Sequence, residues 1–387
     1  MKVTNVKSIY EAIKANKPII DRIVRYAKNG EVDGFTPPSS IVGEKNYPKV
    51  SIGVLFNDMS NSSAYDDHKL WIRQGYDVSK IIAARSGLIN AMTRVNVEYP
   101  NTEFMERVRL AIIAKEEVPI NANISSVGIG TGERINGLSP VNARLDSLRI
   151  SDSVKVEKHV EKVFYDKDLK AQDGIRFLYE RGSDEDKISR ILSVGGMGIK
   201  RKIVPTKWAI TAVDDTLGKD MIATVRHIEK SDICALKTGI FLGNVFTFIF
   251  LAGEWSFELI EAWNRDGGEV MIGESDYELY CGRKEYVNNT AGAYYAIRLA
   301  VLEKLLKMKK QFSVIVIREI TPEYFAPLGV WVVREGARKA LEGEPEFFKD
   351  SESVINAAKR RLIYKDGLKK SKILRLISTQ TRLNSFF

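Results

Sequence analysis

The sequence predicts a mixed fold, α/β or α+β with a mixed sheet, and three observations support that prediction. Segments with helical spacing intermix with strand-like segments along the 387 residues, without a regular βαβ period. Neither an internal repeat nor a heptad pattern is visible in the sequence. The composition is 44% apolar and 28% charged, which is typical of a globular protein, and the length suits two or three packed units.

In the N-terminal part of the chain, residues 5–28 have apolar groups at helical spacing, and Pro18 should divide them into two short helices. The proline-bearing stretch 34–50 predicts an irregular loop. VSIGVLF at 50–56 alternates like a strand, and the long polar stretch 57–71 that follows favours a functional loop.

The middle of the chain predicts helices at 78–94 and 101–115, and a shorter helix at 184–194. Residues 194–216 predict a glycine turn, a basic stretch and then a strand. IFLGNVFTFIFLAG at 240–253 is too short to cross a bilayer and predicts one long buried strand or two shorter ones.

The C-terminal part contains the clearest amphipathic helix of the chain, at 290–310, followed by a buried strand at 312–320 and a helix near 332–342. The residues beyond these elements differ in composition from the rest, because they are strongly basic and end in two aromatic side chains.

Charge and reactive residues limit the classes of function. The net charge of +9 suits an acidic partner such as nucleic acid, although a surface rich in Lys and Glu can carry as many charges without a partner. The two cysteines, Cys234 and Cys281, form no CxxC motif, and the three histidines are scattered, so neither a disulfide framework nor a zinc site is expected. No signal segment or membrane span is visible, and we expect a cytoplasmic protein without a membrane partner.

The chain ends in QTRLNSFF, residues 380–387. Leu383, Phe386 and Phe387 are spaced i, i+3 and i+4, so one short helical or 3₁₀ turn places them on one side, while Gln380 stays free to hydrogen-bond a polar pocket. This pattern resembles the motif by which replication and repair proteins bind the sliding clamp PCNA, and it predicts clamp binding. The alternative is a terminus that folds back onto the protein body.

Residues 359–375, KRRLIYKDGLKKSKILR, are the densest basic stretch, with eight Lys or Arg against Asp366 and a net charge of +7. Such a stretch can neutralise DNA phosphates, which predicts salt-dependent DNA binding. The predicted DNA-binding residues are Lys359, Arg360, Arg361, Lys369, Lys370, Lys372 and Arg375.

The glycine-rich stretch VGIGTGERING could hold a nucleotide. Backbone N–H groups around Gly128, Gly130 and Gly132, with Arg134 nearby, could cradle a phosphate. The stretch lacks the GK[ST] ending of a P-loop and the spacing of a dinucleotide fingerprint, so a plain hairpin is the favoured interpretation.

Two pairs of adjacent aspartates and the polar residues at the end of a buried strand are candidate catalytic residues. The pairs Asp66–Asp67 and Asp214–Asp215 could hold Mg²⁺ through oxygen ligands, although adjacent residues on a strand point to opposite faces. A turn or helix cap explains them as well. Polar residues at the end of the strand VIVIRE could line a cleft, or form a structural ion pair. The candidates are Asp214, Asp215, Arg318, Glu319 and Glu323, with Tyr324 beside them.

Aromatic and basic residues interleave between 277 and 298 and would suit a flipped or single-stranded base. At least one of the two tyrosines that open the 290–310 helix should instead belong to the core. The residues are Tyr277, Tyr280, Tyr286, Tyr294 and Tyr295 with Arg283, Lys284 and Arg298.

Long ordered blocks of the sequence resemble the archaeal Nre DNA repair proteins. The blocks are PPSSIVGEKNYPKVSIGVL (37–55), KRKIVPTKWAITAVDDT (200–216), GEWSFELIEAW (253–263), YCGRKEYVNNTAGAYYAIRLAVLEKL (280–305) and REITPEYFAPLGVWVVREGARKAL (318–341), followed by the terminal motif. The resemblance implies a role in DNA repair together with the clamp, and a location at the archaeal nucleoid. Many members begin with a cysteine-containing, zinc-finger-like segment, whereas residues 1–30 here contain no cysteine.

The resemblance and the composition together predict five parts of the chain. These are an N-terminal helical segment (1–30), an Nre N-terminal-type region (31–270), an Nre C-terminal-type region (271–358), a flexible basic tether (359–379) and the clamp-binding peptide (380–387). The function predicted first is a repair factor that PCNA recruits to DNA. The alternative is an enzyme, a metal-dependent nuclease or a transferase using NAD or ATP on DNA, that the clamp merely localises. The sequence is compatible with bound Mg²⁺ or a bound nucleotide and does not identify either.

Overall fold

The computed structural model describes residues 6–130, 139–150, 153–264 and 270–384; at residues 6, 264 and 380–384 it describes the backbone but not the side chains. The chain forms two compact units. The first consists of the residues up to Thr216 together with Phe325–Leu328, and the second of Leu217–Tyr324 and the residues from Gly329 onward.

The first unit contains a six-stranded sheet in the order β1-β5-β6-β4-β3-β2, in which β4 and β6 are parallel and the other neighbours antiparallel. Its strands are β1 (Glu31–Thr36), β2 (Ser40–Val42), β3 (Lys49–Phe56), β4 (Ile89–Asn96), β5 (Val118–Ile129) and β6 (Val141–Ile150). Its helices are α1 (Val6–Ala15), α2 (Lys17–Ala27), α3 (His68–Arg73), α4 (Val78–Arg85), α5 (Glu103–Ile113), α6 (Lys158–Tyr165), α7 (Ala171–Glu180), α8 (Glu185–Ser193) and the beginning of α9 (Thr206–Val225), with a 3₁₀ turn at Ser62–Tyr65.

Apolar and polar residues alternate along the strands, and the apolar residues determine which face of this sheet is covered. Val50 and Ile52 of β3 are fully buried in a core that also contains residues of α2 and α5. Lys49, Arg94 and Arg144 point away from that core and are exposed. The sheet therefore keeps part of its second face open to solvent, with basic side chains on β3, β4 and β6.

The second unit contains a sheet in the order β10-β9-β12-β8-β7-β13, with β11 paired to β9. Its strands are β7 (Cys234–Phe241), β8 (Asn244–Ala252), β9 (Ser256–Asn264), β10 (Val270–Ile272), β11 (Asp276–Glu278), β12 (Phe312–Ile320) and β13 (Glu346–Phe348). Its helices are the end of α9, α10 (Ala291–Met308), α11 (Val330–Ala340), α12 (Ser351–Arg361) and α13 (Lys372–Asn384), with a 3₁₀ turn at Lys365–Lys370.

The central strand β12 is buried along its whole length and pairs in parallel with β9 and antiparallel with β8. Ile315 and Ile317 face α12, the 3₁₀ turn 365–370 and α13. The opposite face carries Phe246 and Phe257, which contact Gly336 of α11 and Tyr294 of α10 respectively. Coverage of both faces explains why this strand is a continuous apolar run rather than an alternating one.

The mixed fold is confirmed, and so are most of the predicted elements. Pro18 lies in the first turn of α2, directly after α1 ends, and Thr102 caps α5 by accepting a hydrogen bond from the Met105 amide. Residues 240–253 belong to two strands joined at Gly243, whose φ of 71° suits the turn. The confirmed predictions are the two N-terminal helices, the strands at 50–56, 240–253 and 312–320, and the helices at 101–115, 184–194, 290–310 and 332–342.

Three predictions of secondary structure were wrong. The stretch 34–50 contains the end of β1 and all of β2, and 78–94 is a helix followed by the strand β4 after a turn at Ser86–Gly87. The predicted strand within 194–216 is the first half of α9. Ala209, Val213 and Leu217 are buried at intervals of four residues, which is helical spacing, and Pro205 precedes the first turn.

No helix in the described part of the chain is long and apolar enough to cross a membrane.

Candidate functional site

The basic segment 359–375 lies on one face of the second sheet. It comprises the last turn of α12, the 3₁₀ turn 365–370 and the first turn of α13. Three of its apolar residues are buried in one cluster with strand residues, whereas Ile363 is exposed. The segment contributes Leu362, Leu368 and Ile373 to the cluster, and the sheet contributes Ile249, Ile260, Ile315 and Ile317. The stretch predicted to be a tether is therefore held in regular structure, and its cations occupy defined positions.

Glu258 anchors the beginning of α13. This carboxylate lies on β9, is fully buried, and accepts hydrogen bonds from the Ser371 hydroxyl (2.6 Å) and from the amides of Lys372 (2.7 Å) and Ile373 (3.1 Å). The first amides of a helix lack partners inside the helix, and the helix dipole favours a negative charge there. Glu258 thus joins the strand to a helix that lies more than a hundred residues further along the chain.

Glu319 makes a second anchor. It lies on β12 on the same face as Ile315 and Ile317, and its Oε1 accepts a hydrogen bond from the Tyr364 amide (2.6 Å). Its Oε2 is buried without a hydrogen-bond partner among the residues described. Burial raises the pKa of the Glu319 carboxyl above its ordinary value of 4.5, and the amides of Tyr364 and Ile363 lower it by less.

This pKa shift makes the stability of the second unit depend on pH. A carboxyl whose pKa is raised on folding contributes stability that is fully present below its ordinary pKa of 4.5 and is lost as the pH rises through the folded value. Glu319→Gln keeps an acceptor for the Tyr364 amide but does not titrate. We expect the melting temperature of this variant, relative to the parent protein, to increase as the pH rises above the ordinary pKa of 4.5.

A matched control for that experiment is Glu274→Gln. The pKa of the exposed Glu274 is lowered, because Lys370 donates a hydrogen bond to it and adds its charge. A carboxyl whose pKa is lowered on folding contributes stability that is fully present above its ordinary pKa of 4.5. The melting temperature of Glu274→Gln, relative to the parent protein, should therefore not rise over the same pH range. A flat or falling difference for Glu319→Gln would contradict the pKa assignment.

The basic side chains of the segment differ in their surroundings. Arg361 pairs with Glu346, Lys369 with Asp366, and Lys370 with Glu274. These pairs are solvent-exposed, and exposed pairs of this kind contribute about 1 kcal/mol or less, so a phosphate can displace the carboxylate. The Nζ of Lys372 lies 5.3 Å from the centre of the Tyr277 ring, and Arg375 donates to the Lys369 carbonyl (3.0 Å). Lys359 and Arg360 are exposed at the end of α12.

A groove of about 850 Å³ runs between α12 and α13. Lys359, Lys369 and Arg375 line it together with apolar Ile355 and Leu374. The carboxylate of Glu352 and the side chains of Ser351 and Asn356 also line the groove. The excess of positive charge beside apolar side chains suits a phosphate-bearing ligand whose other part is less polar.

The predicted clamp-binding residues lie at the end of α13 or beyond it. Gln380 and Leu383 are on the helix, but only the backbone is described at these positions. Phe386 and Phe387 lie outside the described residues. The turn predicted for the terminal plug is therefore untested, whereas the helix that leads to it is anchored at Glu258.

The catalytic candidates at the end of β12 do not converge. Arg318 is fully buried on the α10 side of the sheet, where it contacts Glu261 Oε1 (2.5 Å) and donates from Nε (2.9 Å) and Nη2 (2.6 Å) to Asn244 Oδ1. Glu319 faces the opposite side, and the exposed Glu323 accepts from the Thr321 hydroxyl. The structural ion pair, which the sequence left as an alternative, is present between Arg318 and Glu261.

The acidic pairs are also separated by the fold. Asp66 forms ion pairs with Arg85 (2.5 Å) and Arg190 (3.1 Å), and Asp67 caps α3 through the Leu70 amide. Asp214 and Asp215 lie in the middle of α9, the first fully buried. In the parts of the chain that the structure describes, no group of three or more His, Cys, Asp or Glu residues could hold a metal ion.

The glycine-rich stretch connects β5 and β6. Gly128 pairs with Asn142 across the two strands, and the Gly130 amide donates to the Pro140 carbonyl (2.7 Å). These contacts confirm the hairpin interpretation for the strand ends. Gly132 and Arg134 lie outside the described residues, so the phosphate cradle is untested.

The aromatic cluster is divided between core and surface. Tyr294 and Tyr295 are buried, which confirms the expectation of a core role, and Arg298 is buried in an ion pair with Glu278 (2.8 Å). Tyr280 and Tyr286 remain exposed. The exposed part of the cluster is therefore smaller than the sequence suggested.

Sequence reasoning missed the two carboxylates of β9. GEWSFELIEAW places Glu258 and Glu261 in an otherwise apolar strand, and both are buried on opposite faces. A charged residue in such a strand needs a partner, which is the signal that could have revealed them. Their partners, Ser371 and Arg318, are too distant in sequence to be inferred.

Two family models match successive parts of the chain. The family model for the archaeal Nre N-terminal region matches residues 8–267, and the model for the archaeal Nre C-terminal region matches residues 278–386. No solved structure matches the chain. The second sheet combines strands from both matched regions, since β7, β8 and β9 precede the boundary and β12 and β13 follow it.

Three curated relatives are similar over most of their length. A DNA repair protein NreA of Archaeoglobus fulgidus is 34% identical over 384 residues, covering 96% of this chain and 94% of that protein. A DNA repair protein NreA of Haloferax volcanii is 34% identical over 349 residues, covering 84% and 81%. A DNA repair protein NreB of Archaeoglobus fulgidus is 33% identical over 324 residues, covering 81% of each chain. The chain belongs to the archaeal Nre family.

Proposed function

We propose that this protein is a DNA repair factor that the sliding clamp PCNA recruits through Gln380, Leu383, Phe386 and Phe387, and that its basic segment 359–375 contacts DNA. The relatives named as DNA repair proteins support the repair role. The observation that carries the DNA contact is the packed basic segment, because its packing holds the backbone that presents the cations, three of which line the groove between α12 and α13.

The anchored helix also supports the link between clamp and DNA. α13 begins at the Glu258 anchor, passes Arg375 and continues to Asn384. A helix rises about 1.5 Å per residue, so the terminal motif, which begins at Gln380, starts roughly 7 to 8 Å beyond Arg375, the last cation of the basic segment. Such a short separation would hold the protein's DNA contact close to the duplex that the clamp encircles.

DNA binding by the basic segment is tested with the triple variant Lys359→Ala, Arg360→Ala and Arg375→Ala. Each lost phosphate contact reduces the slope of log K against log salt concentration by about 0.9, so the slope should fall by roughly 2 to 3 and the affinity for duplex DNA at low salt should decrease. Fluorescence anisotropy with a labelled duplex, at several salt concentrations, measures both quantities.

The matched control removes three exposed lysines of the first unit, Lys158→Ala, Lys167→Ala and Lys170→Ala, and so changes the net charge equally. If this control lost as much affinity and slope as the first triple variant, DNA binding would depend on net charge rather than on the basic segment. An unchanged slope in the first variant would also contradict the proposal.

A further inference from the structure

Two large aromatic side chains lie together on the surface of the first unit. Tyr47 is in the turn between β2 and β3 and is 51% exposed, and Trp208 is in the first turn of α9 and is 44% exposed. Their ring centroids are 5.5 Å apart, with an angle of 45° between the planes. Tyr and Trp are enriched at surfaces that a partner covers, so two adjacent exposed rings make this surface a candidate binding site.

The local structure holds the two rings in place. The Val42 amide donates to the Thr206 hydroxyl (2.8 Å), and Lys207 Nζ lies 3.5 Å from Glu44 Oε1. Thr206, Lys207 and Trp208 thus each contact a residue of the segment that leads from β2 into β3. The ring pair is pre-organised and does not need to be ordered when a partner binds, which reduces the entropic cost of binding.

Basic side chains lie near the rings in sequence and continue onto the open face of the first sheet; one of them, Lys207, is paired with Glu44. Lys45, Lys49 and Lys207 are exposed and lie next to the two rings in sequence. Lys49 is paired with Asn96 in the register of β3 and β4, and Arg94 lies two residues further along β4 on the same face. Diagonal neighbours of this kind are about 7–8 Å apart. The cations therefore form a line that starts at the aromatic pair.

We propose that Tyr47 and Trp208 stack on unpaired bases of single-stranded DNA, with the phosphates following Lys49 and Arg94. The inference rests on the proposed role in DNA repair and names the substrate class, DNA with exposed bases. An aromatic face can stack only on a base that has left the duplex stack, and stacking beside cations is how proteins bind single strands. The lysines next to the rings in sequence outnumber the carboxylate of Glu44, and this excess of positive charge favours a nucleic acid over an apolar protein surface.

The fluorescence of Trp208 can report the binding of a base next to it. Trp71, Trp255 and Trp331 are at most 8% exposed, and Trp263 is partly buried. Titrating the full chain with single-stranded oligothymidine should therefore quench the tryptophan fluorescence chiefly through Trp208. Trp208→Phe should remove most of the quenching while retaining an aromatic face. Tyr47→Ala combined with Trp208→Ala should weaken binding of the single strand by roughly tenfold or more.

Matched measurements separate stacking from other effects. Tyr165→Ala removes a tyrosine of the same unit that is 64% exposed but lies at the end of α6, and it should leave binding of the single strand unchanged. The double variant should bind duplex DNA and PCNA as the parent does, because those contacts are proposed for the C-terminal segment. Normal PCNA and duplex binding with undiminished binding of oligothymidine would overturn the stacking proposal and leave the proposed function intact.

Two further outcomes would also refute stacking. Quenching that survives in Trp208→Phe would show that the base lies elsewhere. An equal loss of single-strand and duplex affinity in the double variant would show that the pair is a general DNA contact rather than a site for unpaired bases. Circular dichroism of the double variant controls for folding, and since both side chains lie on the surface we expect its spectrum to match that of the parent.

Discussion

Replacing both Phe386 and Phe387 with alanine is expected to weaken binding to PCNA by at least about a hundredfold, because buried aromatic anchors carry most of the affinity of such peptides. The melting temperature should not change if the phenylalanines are exposed until the clamp covers them. Surface plasmon resonance with immobilised PCNA and thermal unfolding of the same preparation measure the two quantities together.

The control for this experiment changes residues of the same terminus that lie outside the motif pattern. Thr381→Ala combined with Asn384→Ala should retain most of the affinity. If the double phenylalanine variant still bound PCNA like the parent protein, recruitment through the terminal motif would be wrong. A large drop in its melting temperature would instead favour a terminus that packs against the protein body.

Arg318→Ala is expected to destabilise the protein by about 3–5 kcal/mol, which is the typical cost of removing one partner of a buried ion pair. Arg318 is fully buried, and its loss leaves the Glu261 carboxylate and the Asn244 side-chain oxygen without their principal donor. Equilibrium unfolding in urea, monitored by fluorescence and circular dichroism, measures the change in the free energy of unfolding.

Two further variants establish that burial is the cause. Lys370→Ala breaks the exposed pair with Glu274 and should change the free energy of unfolding far less than Arg318→Ala does. Arg318→Met combined with Glu261→Leu removes both charges and should recover much of the stability lost in Arg318→Ala. A cost for Arg318→Ala as small as that of Lys370→Ala would show that the buried network contributes little, and it would reopen a role for Arg318 in binding or catalysis.

Elements with a strong local pattern could be predicted from the sequence. Helix α10 and strand β12 have unmistakable apolar patterns, and the boundary between α1 and α2 follows from Pro18. The first half of α9 was mistaken for a strand because ITAV is a short run rich in β-branched and apolar residues, and such runs do not distinguish a strand from a buried helix. The turn at Ser86–Gly87, which separates α4 from β4, is only two residues long and was overlooked.

The candidate site, too, could be predicted from the sequence only in part. The basic character of 359–375 is a property of composition and was visible at once. That these residues form a packed layer depends on Leu362, Leu368 and Ile373 meeting a sheet whose strands lie far upstream. Tyr47 and Trp208 were not singled out in the sequence, because 161 positions separate them and neither is unusual alone.

By itself, the sequence determined the family, the mixed fold, the terminal motif and the positive charge, since each depends on residue type and short-range spacing. The tertiary structure decided which charged groups are buried and paired and which remain at the surface. Arg318 meets Glu261 across 57 positions, and Glu258 meets Ser371 across 113. A charge is stable in the interior only beside such a partner, and contacts over that range are set by strand register and helix packing rather than by local sequence.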